Sequence, residues 1–105
     1  MYANYLDMND NKNKQEEKDE YGKLRRMLEE DFEWPHEYMF KFIVPFSPKS
    51  IEETEALFSK DANITLRESK SLKYMSITAK QLMKSPDDII AIYHKAESIK
   101  GIMGL

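Results

Sequence analysis

Residues 38–44 read Tyr-Met-Phe-Lys-Phe-Ile-Val and are followed by Pro45. Aromatic and β-branched side chains fill this stretch, a composition suited to a pleated strand, and the proline ends it. At period two, Tyr38, Phe40, Phe42 and Val44 share one face, and Met39, Lys41 and Ile43 share the other. A strand this apolar, with a single charge, belongs in the middle of a sheet rather than at an edge, where charges usually guard unpaired backbone groups.

Working outward, residues 45–50 (Pro-Phe-Ser-Pro-Lys-Ser) form a turn that offers two helix starts. Ser50-Ile51-Glu52-Glu53 fits a capping box, with Ser at the N-cap and Glu at N3. Ser47 followed by Pro48 places proline at the first helical position. Either start predicts a helix to about Ser59, with Ile51, Thr54, Leu57 and Phe58 on its core side. Residues 64–69 and 74–79 read as two strands joined by a short loop at residues 70–73. Pairing Ser69 with Tyr74 sets Arg67 opposite Ser76 and Thr65 opposite Thr78. Ile64, Leu66, Met75, Ile77 and Ala79 then share one face. Thr65, Arg67, Ser69, Tyr74, Ser76 and Thr78 share the other. A slip of one residue mixes the two sets, so the hydrophobic pattern selects this register. Residues 80–84 are read as a connection or a ragged strand end.

Ser85-Pro86-Asp87-Asp88 is a helix start with a serine cap, proline at N1 and acids beside the positive end of the helix. Ile89, Ile92, Tyr93, Ala96 and Ile99 then recur on one side, Gly101 is a stop, and residues 102–105 predict a short last strand. Upstream, residues 21–32 predict a helix with Leu24, Met27, Leu28 and Phe32 as its apolar stripe. Arg25–Glu29 and Arg26–Glu30 are opposite charges four apart on it. Trp34-Pro35 breaks it, and Trp34 is either an anchor for that helix or a binding hot spot.

The order β-α-β-β-α-β after an N-terminal helix predicts an α+β, ferredoxin-like fold: a four-stranded antiparallel sheet with two helices on one face, plus the extra helix. The expected organisation is a disordered polar tail over residues 1–20, an N-terminal helix over 21–33 and the ferredoxin-like domain over 36–105.

The totals fit one domain: 105 residues, 41% hydrophobic and 33% charged. Residues 1–20 hold Lys12, Lys14 and Lys18 against Asp7, Asp10, Glu16, Glu17, Asp19 and Glu20. They carry the entire net charge of −3, so the remainder is neutral, with 13 basic and 13 acidic residues. Broad non-specific nucleic-acid binding needs a basic surface and is not expected. Ordering most of this tail would not repay its conformational entropy. Tyr2, Tyr5 and Leu6 are a short docking motif or simply a loose terminus. The absence of cysteine removes disulfides and thiolate chemistry. No apolar run approaches the roughly 20 residues of a membrane span, and no secretory leader is evident. The expectation is a cytoplasmic protein with no membrane partner.

Three motifs carry a family resemblance. They are Trp34-Pro35-x-x-Tyr38-x-Phe40-Lys41-Phe42-Ile43-Val44-Pro45, Arg67-Glu68-Ser69 with Lys73-Tyr74-x-Ser76-Ile77-Thr78, and Ser85-Pro86-Asp87-x-Ile89-Ile90-x-Ile92-Tyr93-x-Lys95-Ala96. Together they resemble the YbeD-like bacterial family, domain of unknown function 493, over residues from about 21 to 105. The first motif is most similar to the branch with an added N-terminal helix. The resemblance implies a ferredoxin-like fold similar to ACT-type regulatory domains, which bind amino acids or other effectors and often pair sheet to sheet. In one departure, Leu72 stands where the family's hairpin usually has Gly, a residue that permits positive φ.

No catalytic residue, metal site or cofactor is implied. His36 and His94 are far apart in sequence, and neither belongs to a ligand-spaced cluster. Glu52, Glu53 and Glu55, like Asp87 and Asp88, stand at helix starts, where the helix dipole alone favours acids. Three glycines cannot build a phosphate loop or a dinucleotide motif. One constellation remains, the polar sheet face of Lys41, Arg67, Ser69, Tyr74, Ser76 and Thr78. It is either a solvated face or a ligand- or partner-binding face, with Arg67 suited to a carboxylate. Tyr74 is its one aromatic, too few for an RNA-stacking sheet. The sequence thus predicts a non-enzymatic regulatory or interaction module that binds a protein partner, or itself, through the sheet. The alternative is an ACT-like sensor of an amino acid or other small anionic metabolite.

Overall fold

The computed structural model describes residues 21–104. The polar tail, with Tyr2, Tyr5 and Leu6, lies outside the described residues. The elements are α1 (Gly22–Asp31), β1 (His36–Pro45), α2 (Pro48–Glu55), β2 (Asn63–Glu68), β3 (Tyr74–Met83), α3 (Pro86–Ala96) and β4 (Met103–Gly104). The four strands form one open antiparallel sheet in the order β2-β3-β1-β4, and β1 is interior, as its composition predicts. Among the described residues no helix is long and apolar enough to cross a membrane.

One face of the sheet makes the core. Phe40, Phe42 and Val44 of β1 and Met75, Ile77, Ala79 and Met83 of β3 are buried there. Leu24 and Leu28 of α1, Phe58 after α2, and Ile89, Ile90, Ile92, Tyr93 and Ala96 of α3 pack into the same cluster, and Ile51 of α2 packs against Val44, Met75 and Ile77. All three helices therefore contribute to the layer over this face. Burying one such aromatic or aliphatic side chain stabilises the fold by about 1.5–3 kcal/mol.

The boundaries show what neighbours add to local pattern. Ser47, rather than Ser50, caps α2: its Oγ accepts from the Ser50 amide at 3.2 Å, with Pro48 in the first turn. α2 ends at Glu55, short of the expected Ser59. The chain tightens there into i→i+3 bonds, Leu57 N–H to the Thr54 carbonyl and Phe58 N–H to the Glu55 carbonyl. This turn brings Phe58 into the core. The fully buried Thr54 satisfies its hydroxyl on the Ser50 carbonyl at 2.8 Å.

Residues 80–83 are strand and not a connection. β3 runs to Met83 because β1 begins at His36 and supplies a partner for every residue, His36 opposite Met83 and Glu37 opposite Leu82. Ser85 caps α3 as predicted, accepting from the Asp88 amide at 3.2 Å. Gly101 takes φ 77°, and a Cβ there would meet Pro45 Cγ at 2.8 Å. This close approach seats β4 beside β1, where Met103 pairs with Ile43 and Gly104 with Phe42.

α1 packs on the helix side and not on the open sheet. Its stripe is narrower than predicted, since Met27 and Phe32 stay partly exposed, and Tyr21 just before it is buried instead. The Tyr21 hydroxyl donates to the Glu97 carboxylate, its ring stacks with Tyr93 and meets His94 edge-on, and Arg25 Nε donates to Asp87 Oδ1 at 2.7 Å. Trp34 packs partly into the core cluster and acts as an anchor after α1.

Candidate functional site

The second face of the sheet carries every residue of the predicted polar constellation. The observed register sets Arg67 opposite Ser76 and Thr65 opposite Thr78 in β2–β3, and Lys41 opposite Thr78 and Ile43 opposite Ser76 in β1–β3. The Ser69 amide donates to the Tyr74 carbonyl at 3.0 Å, which fixes the expected hairpin pairing. One row across the sheet is Arg67–Ser76–Ile43–Met103, and the next is Thr65–Thr78–Lys41. Arg67 and Lys41 stand about 10 Å apart laterally, two strand spacings of ~4.8 Å.

The six predicted residues do not share one role. Ser69 Oγ accepts the Tyr74 amide at 3.1 Å and lies 3.3 Å from Ser71 Oγ, so it closes the hairpin. Ser76 and Thr78 are half-buried between the strands, while Lys41, Arg67 and the Tyr74 ring project into solvent. Among the described residues neither Lys41 nor Arg67 makes a side-chain hydrogen bond or salt bridge. Two cations are thus left free to meet an anionic group.

The structure adds residues that the sequence reading left out. With β3 extended to Met83, Lys80 falls on this face between Asn63 and Met39, and Leu82 falls opposite Glu37. The local signal was weak there, because Gln81 interrupts the apolar alternation of Met75, Ile77, Ala79 and Met83. The face is also less polar than expected. Met39 is 53% exposed, Leu82 65%, Met103 51% and Tyr74 45%, and Ile43 lies among them. The resulting surface mixes an apolar strip with three cations, Lys41, Arg67 and Lys80, and one acid, Glu37.

At the tip of the β2–β3 hairpin, Leu72 takes φ 58° and its amide donates to the Ser69 carbonyl at 3.0 Å. This is the left-handed geometry for which glycine is suited. The Leu72 side chain is largely exposed and gains little burial in return.

A second polar cluster lies on the helix side. Tyr38 Oη is 3.2 Å from Tyr93 Oη, and Tyr21 reaches Glu97, which is 3.9 Å from His94 Nδ1. Burial, reinforced by the Tyr38 hydroxyl, raises the Tyr93 phenol well above its ordinary value. Burial with the Glu97 carboxylate does the same for Tyr21. Held protonated over the pH range of cells, the Tyr21 phenol donates to Glu97 and ties the start of α1 to the end of α3, while the Tyr93 phenol shares a hydrogen bond with Tyr38 of β1. His36 is elsewhere, in an aromatic group with Phe32 and Trp34, so the two histidines do not converge.

No family model, no curated protein and no solved structure matches the chain.

Proposed function

We propose that this chain is a non-catalytic regulatory or protein-interaction module of the cytoplasm. On this reading its fold is ferredoxin-like and its family YbeD-like. The fold reading is supported by the element order and by the central place of β1 between β3 and β4. The family reading is supported by the three motifs quoted from the sequence, and by the hairpin position of Leu72, which takes the positive φ that a glycine would favour.

One observation carries the functional reading. The helices pack over one sheet face, and the other presents Met39, Ile43, Leu82 and Met103 beside Lys41, Lys80 and Arg67. Exposed apolar side chains next to cations that have no side-chain partner among the described residues suit a partner with apolar anchors and acidic groups. The test is affinity capture with the full chain and with a Met39→Glu/Leu82→Glu variant of unchanged melting temperature. The module reading expects specific partners of the wild type to be lost from the variant. An identical set from both proteins would overturn it.

The second reading is a sensor of a small carboxylate or other anionic metabolite at Arg67, supported by the absence of a side-chain partner for Arg67 among the described residues. A thermal-shift screen against amino acids, organic acids and nucleotides tests it, because a ligand that binds the native state raises apparent stability. A shift lost in Arg67→Ala would favour the sensor, and a flat screen would set it aside.

A further inference from the structure

We infer that β2, an edge strand of the sheet, is a self-association strand: it pairs antiparallel with β2 of a second copy about a two-fold axis through Thr65, so that two four-stranded sheets become one continuous sheet. This interface lies at the sheet edge. It is separate from the open face and does not depend on the partner reading given for that face.

The backbone supplies the first argument. Among the described residues β2 pairs with β3 alone. The Ser69 amide donates to the Tyr74 carbonyl. In an alternating antiparallel ladder, Arg67, Thr65 and Asn63 therefore turn their backbone groups towards β3 as well. Ile64, Leu66 and Glu68 turn their N–H and C=O groups away from the sheet. A row of this kind is a template for another strand, and natural edges usually guard it with lysine, proline or a bulge. β2 contains neither residue, and its register with β3 runs without interruption. Its two charges, Arg67 and Glu68, stand together at one end.

The side chains supply the second argument, and they select a second copy as the occupant. Leu66 lies on the helix side of the sheet, opposite the fully buried Ile77, yet is 42% exposed. A two-fold axis through Thr65 sets Leu66 opposite Ile64 of the second copy, and Ile64 opposite its Leu66. Thr65 meets its own counterpart on the axis, and Arg67 faces Asn63. Apolar pairs and threonine pairs are favourable across strands, and no like charges oppose each other here. An axis through Leu66 would instead set Ile64 against Glu68. It would also bring the two copies of Arg67 into a diagonal pair about 7–8 Å apart, which like charges disfavour. The contact is isologous: β2 of each copy is consumed by the other, so assembly closes at a dimer instead of growing into a filament. A single strand pair is small beside the roughly 1,000 Å² of a lasting interface, so the dimer forms as concentration rises.

Sedimentation of the full chain tests the dimer. From about 10 μM to about 1 mM the mass should rise from that of the monomer, 12.4 kDa, towards twice that value. Leu66→Lys sets a charge into both apolar pairs and should weaken association about tenfold or more, with the melting temperature at low concentration unchanged. The chain has no cysteine, so Thr65→Cys introduces a single thiol. On the axis it faces its own counterpart with Cα atoms about 4.5 Å apart, within the range of a disulfide. With oxidised glutathione as electron acceptor it should form a covalent dimer. Arg67→Cys is also exposed but lies two residues off the axis, and should crosslink about fivefold more slowly or worse. A chain that stays monomeric throughout overturns the inference. So does a dimer indifferent to Leu66→Lys, or equal crosslinking through both cysteines. A dimer abolished by Met39→Glu/Leu82→Glu would place the two copies face to face and overturn it as well, whereas the capture experiment on the open face leaves it untouched.

Discussion

The two faces of β1 and β3 share one backbone and one register, yet they differ in almost every other respect. On one, Phe40, Phe42, Val44, Ile77 and Ala79 are closed off by three helices. On the other, Met39, Lys41, Ile43, Thr78 and Lys80 have no covering element among the described residues. Side chains at successive positions of a strand point in opposite directions, so a single ten-residue strand serves two independent purposes. One face fixes the fold. The other has no covering element among the described residues, so substitutions there are expected to cost the fold little.

That contrast is sharpest in the response to truncation. Phe42→Ala should destabilise the protein by about 3–5 kcal/mol through lost burial and the cavity left behind, read as the fall in midpoint of denaturant unfolding. An effect below 1 kcal/mol would mean that the covered face is not the stabilising one. Gly101→Ala tests the boundary between the faces. It combines a left-handed φ with a 2.8 Å approach to Pro45, and should cost about 1–2 kcal/mol or more. Hydrogen exchange should show the loss first at Phe42 and Ile43, the residues paired with β4.

The phenols of the covered side give a pH signature. Tyr21 and Tyr93 hold their protons more tightly folded than unfolded, where the value is near 10.0. Their stabilisation is therefore fully present below about pH 10 and is lost as pH rises beyond it, because the unfolded chain releases protons first. Tyr93→Phe should cost about 1 kcal/mol at neutral pH through the lost Tyr38 bond. The same variant should flatten the fall of melting temperature above pH 10. An unchanged alkaline slope would remove Tyr93 from this account.

Smaller effects are expected where side chains face water. Leu72→Gly relieves a left-handed leucine and should stabilise the hairpin by about 0.5–1 kcal/mol, the relief exceeding the entropy gained by the unfolded chain. Lys41→Ala should change stability by less than about 0.5 kcal/mol while weakening whatever binds the open face. Strong destabilisation by Lys41→Ala would break the comparison, because it would make the open face structural.

Much of this was legible in residues 38–44, 64–69 and 74–79. The period-two alternation gave these strands, their register and the face on which each of their own side chains lies. Capping chemistry was equally plain at Ser85-Pro86, since the N-cap bond is made within three residues. What was misjudged is where local pattern meets a distant partner. The reach of β3 to Met83 depended on β1 starting at His36, so Lys80 and Leu82 were missed from the face. Tyr21 was read as a helix boundary because nothing near it in sequence announces Glu97 or Tyr93.

The sequence by itself determined the periodic features: which side chains alternate, which residues cap helices and turn corners, and which strand is interior. These rest on contacts a few residues apart or on composition, and one chain contains both. Only the tertiary structure decided which layer α1 joins, how far β3 extends and that one sheet face has no covering element among the described residues. Those outcomes depend on pairs separated by tens of residues, such as Tyr21 with Glu97 and His36 with Met83. Their choice is made by packing and shared hydrogen bonds between elements, which no local pattern encodes.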